Sequence, residues 1–260
     1  MVAFLVKEQT ISIIGAGSLG TAVIDAMYSN GHRKITATRR SNEKLEEIST
    51  KYQGVNTTTS NVLAAQRADV LILAVKPYLI EEVSQEIAQY TNDKLVISLA
   101  AAKSIDVLGE TFSKSRVARV MTGIFAKDEV AAYSLGKSCV AEDHGVIKYI
   151  FGSNVREVNE KYLAGRTWVA CDTGIMAKEV EAKVNTLVAS GMDSEDAAQF
   201  YAGTLRALAS AIESGKSGEE IYHSVAGPES FTGKMYQEML EKGHFRLLKS
   251  CVEKTIDACK

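Results

Sequence analysis

A chain of 260 residues accommodates one large domain or two of ordinary size. Its 46% hydrophobic and 24% charged residues are those of a globular protein and exclude a disordered one. A net charge of -2, with both signs interspersed, leaves no footprint for a nucleic acid or a membrane surface.

The chain starts on a short apolar patch, MVAFLV, without the basic start or cleavage site of a signal peptide. No apolar run approaches the roughly 20 residues of a membrane span, so a cytoplasmic location is expected. Alternation of short apolar runs with helix-period stretches then continues to Ser153. The runs are ISIIGAG, KITATRR, ADVLILAV, KLVISLAA, ARVMTGI and KSCVA. Such a pattern predicts a parallel sheet wrapped by helices. The stretch LGTAVIDAMYSNGH reads as the first helix, closed by Asn30-Gly31. Further crossover helices are expected over Asn42 to Lys51 and Leu79 to Tyr90.

Beyond Asn154 the strand pattern ends. After a transitional segment, VREVNEKYLAGR, helical composition runs from Ile175 to Ser190 and stops at Gly191. Asp193 or Ser194 can cap the next helix, whose Ala197, Phe200, Tyr201, Thr204, Leu205, Leu208 and Ile212 recur at helical spacing. Ser217 and Glu220 have the spacing of a capping box, and two last helices flank Gly243. The division expected is an α/β domain over residues 1–155 and an all-helical one over 156–260.

Four cysteines, Cys139, Cys171, Cys251 and Cys259, include no C-x-x-C and no Cys/His cluster. They are expected to be reduced thiols with structural roles, and no metal site is expected. His32, His144, His223 and His244 lack ligand spacing, and surface or capping positions are expected for them.

The chemistry is concentrated near the N-terminus. Gly15-Ala16-Gly17-Ser18-Leu19-Gly20 is a G-x-G-x-x-G between an apolar strand and a helix. There Gly15 permits the tight turn, Gly17 lets the backbone approach a pyrophosphate, and Gly20 lets helix and strand pack closely. Ser18 and Leu19 open the helix, whose N–H groups suit phosphate. At the end of the second run, where an NAD enzyme usually has a carboxylate for the ribose, the residues are Thr38-Arg39-Arg40-Ser41. Two guanidiniums and two hydroxyls suit the 2′-phosphate of NADP; a solvated basic turn is the alternative.

These residues resemble the pyrroline-5-carboxylate reductase family over nearly the whole chain. The resemblance rests on the I-x-x-I-G-A-G-x-L-G opening, on Ala74-Val75-Lys76-Pro77, on ISLAAAKSI beside the family's I-S-I-A-A-G, and on Asn61 eight residues before Asp69. It extends to Glu157 and Glu160 in a V-x-E-x-x-E passage, to V-x-x-P-x-x-x-T, and to the following L-E-x-G. It implies a Rossmann domain followed by a helical dimerisation domain, with a homodimer or larger homo-oligomer whose active sites lie at the subunit interface. Hydride transfer from NAD(P)H to the imine carbon of pyrroline-5-carboxylate would then give proline. On that model Ala74, Val75, Lys76, Pro77 and Ala100 lie at the nucleotide edge. Lys76 is either solvated or near the nicotinamide ribose, and Asn61 either meets the adenosine ribose or caps the helix after it.

Three substrate-side motifs depart from the family. Its M-P-N is here Met121-Thr122-Gly123, and its S-G-S-G-P-A-Y is Cys171-Asp172-Thr173-Gly174-Ile175-Met176-Ala177. Its S-P-G-G-T-T, which offers backbone N–H groups to the substrate carboxylate, reads Gly227-Pro228-Glu229-Ser230-Phe231-Thr232. Thr232 is the candidate catalytic hydroxyl beside the imine nitrogen, with Glu229, Ser230 and Phe231 as substrate-side residues. Glu229 either pairs with a cationic substrate group or faces solvent. The expected function is NADP-dependent reduction of a cyclic imine, by default pyrroline-5-carboxylate. The alternatives are another imine or carbonyl on the same scaffold, and a non-catalytic NADP-binding protein.

Overall fold

The computed structural model describes residues 6–260, so most of the MVAFLV patch, residues 1–5, lies outside the described residues. Eight strands form one sheet: β1 (Ile11–Ile14), β2 (Ile35–Thr38), β3 (Asn56–Thr58), β4 (Val70–Leu73), β5 (Leu95–Ser98), β6 (Arg116–Met121), β7 (Ala132–Leu135) and β8 (Arg156–Glu157). Their order is β3-β2-β1-β4-β5-β6-β7-β8. The pairs from β3 to β6 are parallel, β7 runs antiparallel to β6, and β8 follows β7 in parallel. This is a Rossmann-type sheet, reversing direction of winding at β1/β4.

Helices α1 (Ser18–Ser29), α2 (Asn42–Lys51), α3 (Asn61–Arg67), α4 (Ile80–Ile87), α5 (Ile105–Thr111) and α6 (Ala141–Phe151) accompany the strands. Because strand side chains alternate between faces, the runs ISII, VLIL and LVIS feed two cores. Ile11, Ile13, Val70, Ile72, Leu95 and Ile97 join Val23, Ile24 and Met27 of α1 and Ile147 and Ile150 of α6. On the other face Ile14, Leu71, Leu73 and Val96 meet Ala64 and Ala65 of α3, Val83 and Ile87 of α4, and Leu108 of α5. Strands buried on both sides read as continuous apolar runs, which is why these could be found from sequence.

Several expectations are corrected. The strand expected at KSCVA is instead Ala132–Leu135, a short last strand follows beyond Asn154 at Arg156–Glu157, and KSCVA is the turn into α6, where Val140 N–H donates to the Asp143 carboxylate at 2.9 Å. Strand β3, Asn-Thr-Thr, has no apolar residue to betray it and is held at the edge by its pairing with β2. His32 is buried rather than exposed, at 3.3 Å from the Tyr149 hydroxyl, and burial pushes its imidazole pKa down. Cys139, in keeping with a structural thiol, is half-buried, donates its thiol to the Val117 carbonyl, and is pushed up by burial to about 11, which makes it a poor nucleophile. Cys171 and Cys251 are exposed.

Two turns show how the backbone is closed. After α1, Gly31 takes a φ of +83° and donates to the Tyr28 carbonyl, while His32 N–H donates to Met27. Ala102, just past β5, has a φ of +57°, a region that costs an L-residue roughly 1–2 kcal/mol. It is exposed, so glycine fits. Ala102→Gly is therefore expected to raise stability by about 1 kcal/mol, offset in part by the larger entropy of the unfolded glycine chain. A shift of the urea midpoint at unchanged slope measures it; a lower midpoint counts against strain at this residue.

The remaining helices are α7 (Leu163–Ala189), α8 (Ser194–Glu213), α9 (Gly218–Val225), α10 (Phe231–Glu241) and α11 (His244–Ala258). Contacts divide the chain into one unit ending at Ala170, joined by Ile256–Lys260, and a second, Cys171–Thr255. Helix α7 starts at Leu163, twelve residues before the expected Ile175. Thr167 donates its hydroxyl to the Leu163 carbonyl and stays within the helix. In the second unit Asp193 caps α8 through the N–H groups of Glu195 and Asp196. Ser217 and Glu220 complete a reciprocal box at α9, with bonds of 3.2 and 2.7 Å. Tyr222, Tyr236 and Phe245 tie α9, α10 and α11 in an aromatic row with centroid distances of 4.8 and 5.3 Å. Phe200, Ile212 and Leu247 remain 61, 57 and 66% exposed. No helix among the described residues is long and apolar enough to cross a membrane.

Candidate functional site

The sheet brings the ends of β1, β2, β4 and β5 to one edge, and the glycine turn leaves β1 there. Gly15 has a φ of +93°, and a Cβ on it would lie 2.6 Å from Val75 Cγ1. A Cβ on Gly20 would lie 2.5 Å from the Gly15 carbonyl oxygen, so helix and turn are in contact. Around Gly17 nothing lies within 4 Å of that position, which leaves its backbone open to a ligand. Gly17 is the N-cap of α1 and has no side chain to cap it. The first intrahelical bond is Thr21 N–H to Gly17 O, so Ser18, Leu19 and Gly20 keep N–H groups without an intrahelical acceptor. That open, positively polarised helix end fits a pyrophosphate.

The end of β2 holds this turn in place. Ala16 N–H donates to the Thr38 carbonyl at 2.7 Å, and Gly15 N–H to Thr38 Oγ1 at 3.2 Å. Arg39 returns a bond, Nη1 to the Ala16 carbonyl at 3.0 Å. Thr38 is buried and its hydroxyl donates to Asn61 Oδ1 at 2.8 Å, so its side chain serves the turn. Arg40 is exposed, and Ser41 caps α2 by accepting from Lys44 N–H. Asn61 opens α3, but the cap there is Ser60, whose hydroxyl accepts from Leu63 N–H at 3.1 Å.

The other edge residues come from β4 and β5. Val75 abuts Gly15, and Ala74 N–H donates to Ile14 O at 2.9 Å. Lys76 is exposed, Pro77 starts a 3-10 turn, and Ala100 is buried. A cleft of about 310 Å³ runs along α1 past Ser18, Thr21 and Asp25, with Ile124 and Phe125 of the segment after β6 on its other wall. Among the described residues no group of three His, Cys, Asp or Glu side chains is placed to hold a metal.

Sequence reading missed two partly buried ion pairs, one on β6 and one in the segment after it. Arg119 Nη1 meets Glu160 Oε1 at 2.7 Å, and the same oxygen accepts from Ile105 N–H. Arg166 Nη2 meets Glu129 Oε2 at 2.5 Å while its Nε donates to the Val130 carbonyl. The Glu129 carboxylate occupies the space that a Cβ on Gly123 would take. The change to Met121-Thr122-Gly123 thus has a local reason: glycine makes room for a carboxylate. Glu129 and Arg166 are 37 residues apart, and only the bare glycine hinted at a close neighbour.

The substrate-side candidates surround the N-terminus of α10 in the second unit. Ser230 is its cap: Oγ accepts from Gly233 N–H at 3.0 Å and from Gly227 N–H at 2.9 Å. Gly233 lies against the Gly227 carbonyl with no room for a Cβ. Thr232 is the second residue of the helix and half-buried. Phe231 is 95% exposed, and the Glu229 carboxylate lies in solvent, 3.2 Å from Lys234 Nζ. The turn has therefore satisfied two of its own N–H donors.

Comparison with known proteins agrees with this architecture. Residues 10–102 match the family described as NADP oxidoreductase coenzyme F420-dependent. The chain is 29% identical to the pyrroline-5-carboxylate reductase of Methanosarcina acetivorans over 248 residues, 91% of this chain and 92% of that one. Its fold matches Plasmodium falciparum pyrroline carboxylate reductase, a structure with NADP bound, at a TM-score of 0.86, 19% identity and 98% of each chain. A reductive aminase from Aspergillus terreus, in complex with NADPH and ethyl levulinate, shares the fold at 0.58 and 17% identity, over 79% of this chain and 75% of the aminase.

Proposed function

We propose that this chain, whose relatives are pyrroline-5-carboxylate reductases, is an NAD(P)-dependent oxidoreductase of that family and reduces a cyclic imine with NADPH, by default pyrroline-5-carboxylate to L-proline. The observation that carries the cofactor half is the open end of α1 at Ser18 to Gly20 beside Arg39 and Arg40. When bound, the reduced nicotinamide supplies the hydride. The chain's own residues do the rest. The N–H groups of Ser18, Leu19 and Gly20 bind the pyrophosphate, the two guanidiniums take the 2′-phosphate, and Asn61, Ala74 to Pro77 and Ala100 line the nucleotide edge. Thr232 orients the imine nitrogen and assists its protonation, which eases hydride addition to the carbon.

In this reading the nucleotide is carried by residues 1–155, and residues 156–260 supply substrate groups and the contact between subunits of a homodimer. The exposed Phe200, Ile212 and Leu247 support that contact, since apolar patches of this kind mark interaction surfaces. The setting is cytoplasmic amino-acid biosynthesis.

A second reading has its own support. Ser230 Oγ fills the N–H groups of Gly227 and Gly233, and Glu229 adds a negative charge beside them. Both disfavour a substrate carboxylate at that turn and favour a neutral or cationic imine, or a carbonyl, on the same scaffold. The test is NADPH oxidation with pyrroline-5-carboxylate beside 1-pyrroline, which lacks the carboxylate, and a set of keto acids with amines. Turnover of pyrroline-5-carboxylate supports the first reading, and turnover of 1-pyrroline alone the second. Tight NADPH binding without turnover of any of them leaves a non-catalytic NADP-binding protein.

A further inference from the structure

We propose that Glu86, on α4, is a positioning residue for the nucleotide turn: its carboxylate sets the amide of Asn61, which sets the Thr38 hydroxyl that holds Gly15. The inference rests on reading this edge as the dinucleotide site. It goes further by placing control of the turn on a residue outside every nucleotide motif in the sequence.

Three hydrogen bonds make the connection. Gly15 N–H donates to Thr38 Oγ1 at 3.2 Å, Thr38 O–H donates to Asn61 Oδ1 at 2.8 Å, and Asn61 Nδ2 donates to Glu86 Oε2 at 2.9 Å. The two ends of this chain each have a single role. A backbone N–H can only donate, and an ionised carboxylate can only accept. The two middle groups, a hydroxyl and an amide, have both roles and would not choose a direction by themselves. With Glu86 at one end and Gly15 at the other, reversing either of them breaks a bond. The direction of the whole relay is therefore fixed.

The consequence reaches the ligand. Asn61 keeps one Nδ2 hydrogen and one Oδ1 lone pair beyond those the relay uses, and both point in a direction that Glu86 determines. Thr38, locked in the same relay, anchors the first glycine of the turn through its side chain as well as through its carbonyl to Ala16. Preorganising both parts lowers the ordering that a nucleotide must otherwise impose. Glu86 itself is exposed, whereas Ile80, Val83 and Ile87 form the buried face of α4. Its replacement leaves that packing intact, which makes it a clean probe.

The experiment uses the full chain with Glu86→Ala, Glu86→Gln, Asn61→Ala and the Glu86→Ala/Asn61→Ala pair. Without nucleotide, hydrogen exchange at the Gly15 amide is expected to speed up about threefold to tenfold in Glu86→Ala, with Tm unchanged. The dissociation constants for NADPH and NADH are both expected to rise, by the same factor of about three to ten. Glu86→Gln, whose amide oxygen still accepts from Asn61, is expected to recover much of the loss. In the Asn61→Ala background Glu86→Ala is expected to add nothing. A full additional loss in that background overturns the proposal, as does any change confined to NADPH, where tighter binding would signal simple relief of charge repulsion. Unchanged Gly15 exchange overturns it too. If the unaltered protein binds neither nucleotide, the proposed function fails by itself, and the exchange measurement still decides the role of Glu86.

Discussion

Changing Arg39 and Arg40 together to alanine is expected to weaken NADPH binding by about 500-fold and NADH binding by only about fivefold. A hydrogen bond to a charged group contributes about 1.5–3 kcal/mol, and 1.4 kcal/mol is a factor of ten. Two guanidiniums on one 2′-phosphate thus account for about 100-fold at the lower end of that range. The smaller loss for NADH comes from Arg39 alone, because its Nη1 also holds the Ala16 carbonyl inside the glycine turn at 3.0 Å. A neutral-acceptor bond of about 1 kcal/mol makes that shared cost about fivefold. The single variants separate the parts. Arg40→Ala, at an exposed residue, should cost NADPH about tenfold and leave NADH unchanged, while Arg39→Ala should weaken both. Fluorescence titration measures all of these constants, and the selectivity should shrink as salt is raised. Equal losses for the two nucleotides in Arg40→Ala would remove the argument for NADP.

That Arg39 has two roles was not legible in the sequence, and the reason is general to this molecule. What could be read were features whose cause is local. ISII, VLIL and LVIS are buried at every position and almost wholly apolar because the sheet is covered on both faces. Gly15 and Gly20 are glycine because their neighbours leave no room, and Asp193 and Ser217 cap helices that begin beside them. What could not be read depended on distant partners. Thr38 looks like a ligand contact in a basic tetrapeptide, yet its hydroxyl is spent on Gly15 and Asn61, each 23 residues away. His32 is buried because Tyr149, 117 residues on, shields it. Gly123 is explained by Glu129 only once Arg166 is in place. Strand β3 has no signal of its own, since its place comes from the edge of β2 that it completes. The altered turn before α10 was visible as a departure, but its meaning depends on Ser230 acting as a cap, which is a matter of backbone geometry.

Thr232→Ala is expected to lower the rate of imine reduction about 100-fold while NADPH affinity stays within about twofold. Positioned proton transfer contributes typically 10²–10⁴-fold, and the lower value suits a hydroxyl that orients and relays without being a strong acid. The local structure makes the substitution interpretable. The cap of α10 is Ser230, not Thr232, and alanine is a better helix former than threonine, so the helix is retained. Ser230→Ala is the contrasting variant: it removes the acceptor for Gly227 and Gly233 and should cost about 1 kcal/mol of stability. Thr232→Ser keeps the hydroxyl and should retain most of the rate, which separates chemistry from the loss of a methyl group. If Thr232→Ala turns over normally, the hydroxyl has no role in the reaction. Attention then passes to Glu229, three residues earlier and held only by an exposed pair with Lys234. A rate that survives Thr232→Ala and falls with Glu229→Gln would place the proton on the carboxylate. It would also favour a substrate with a cationic nitrogen and no carboxylate of its own.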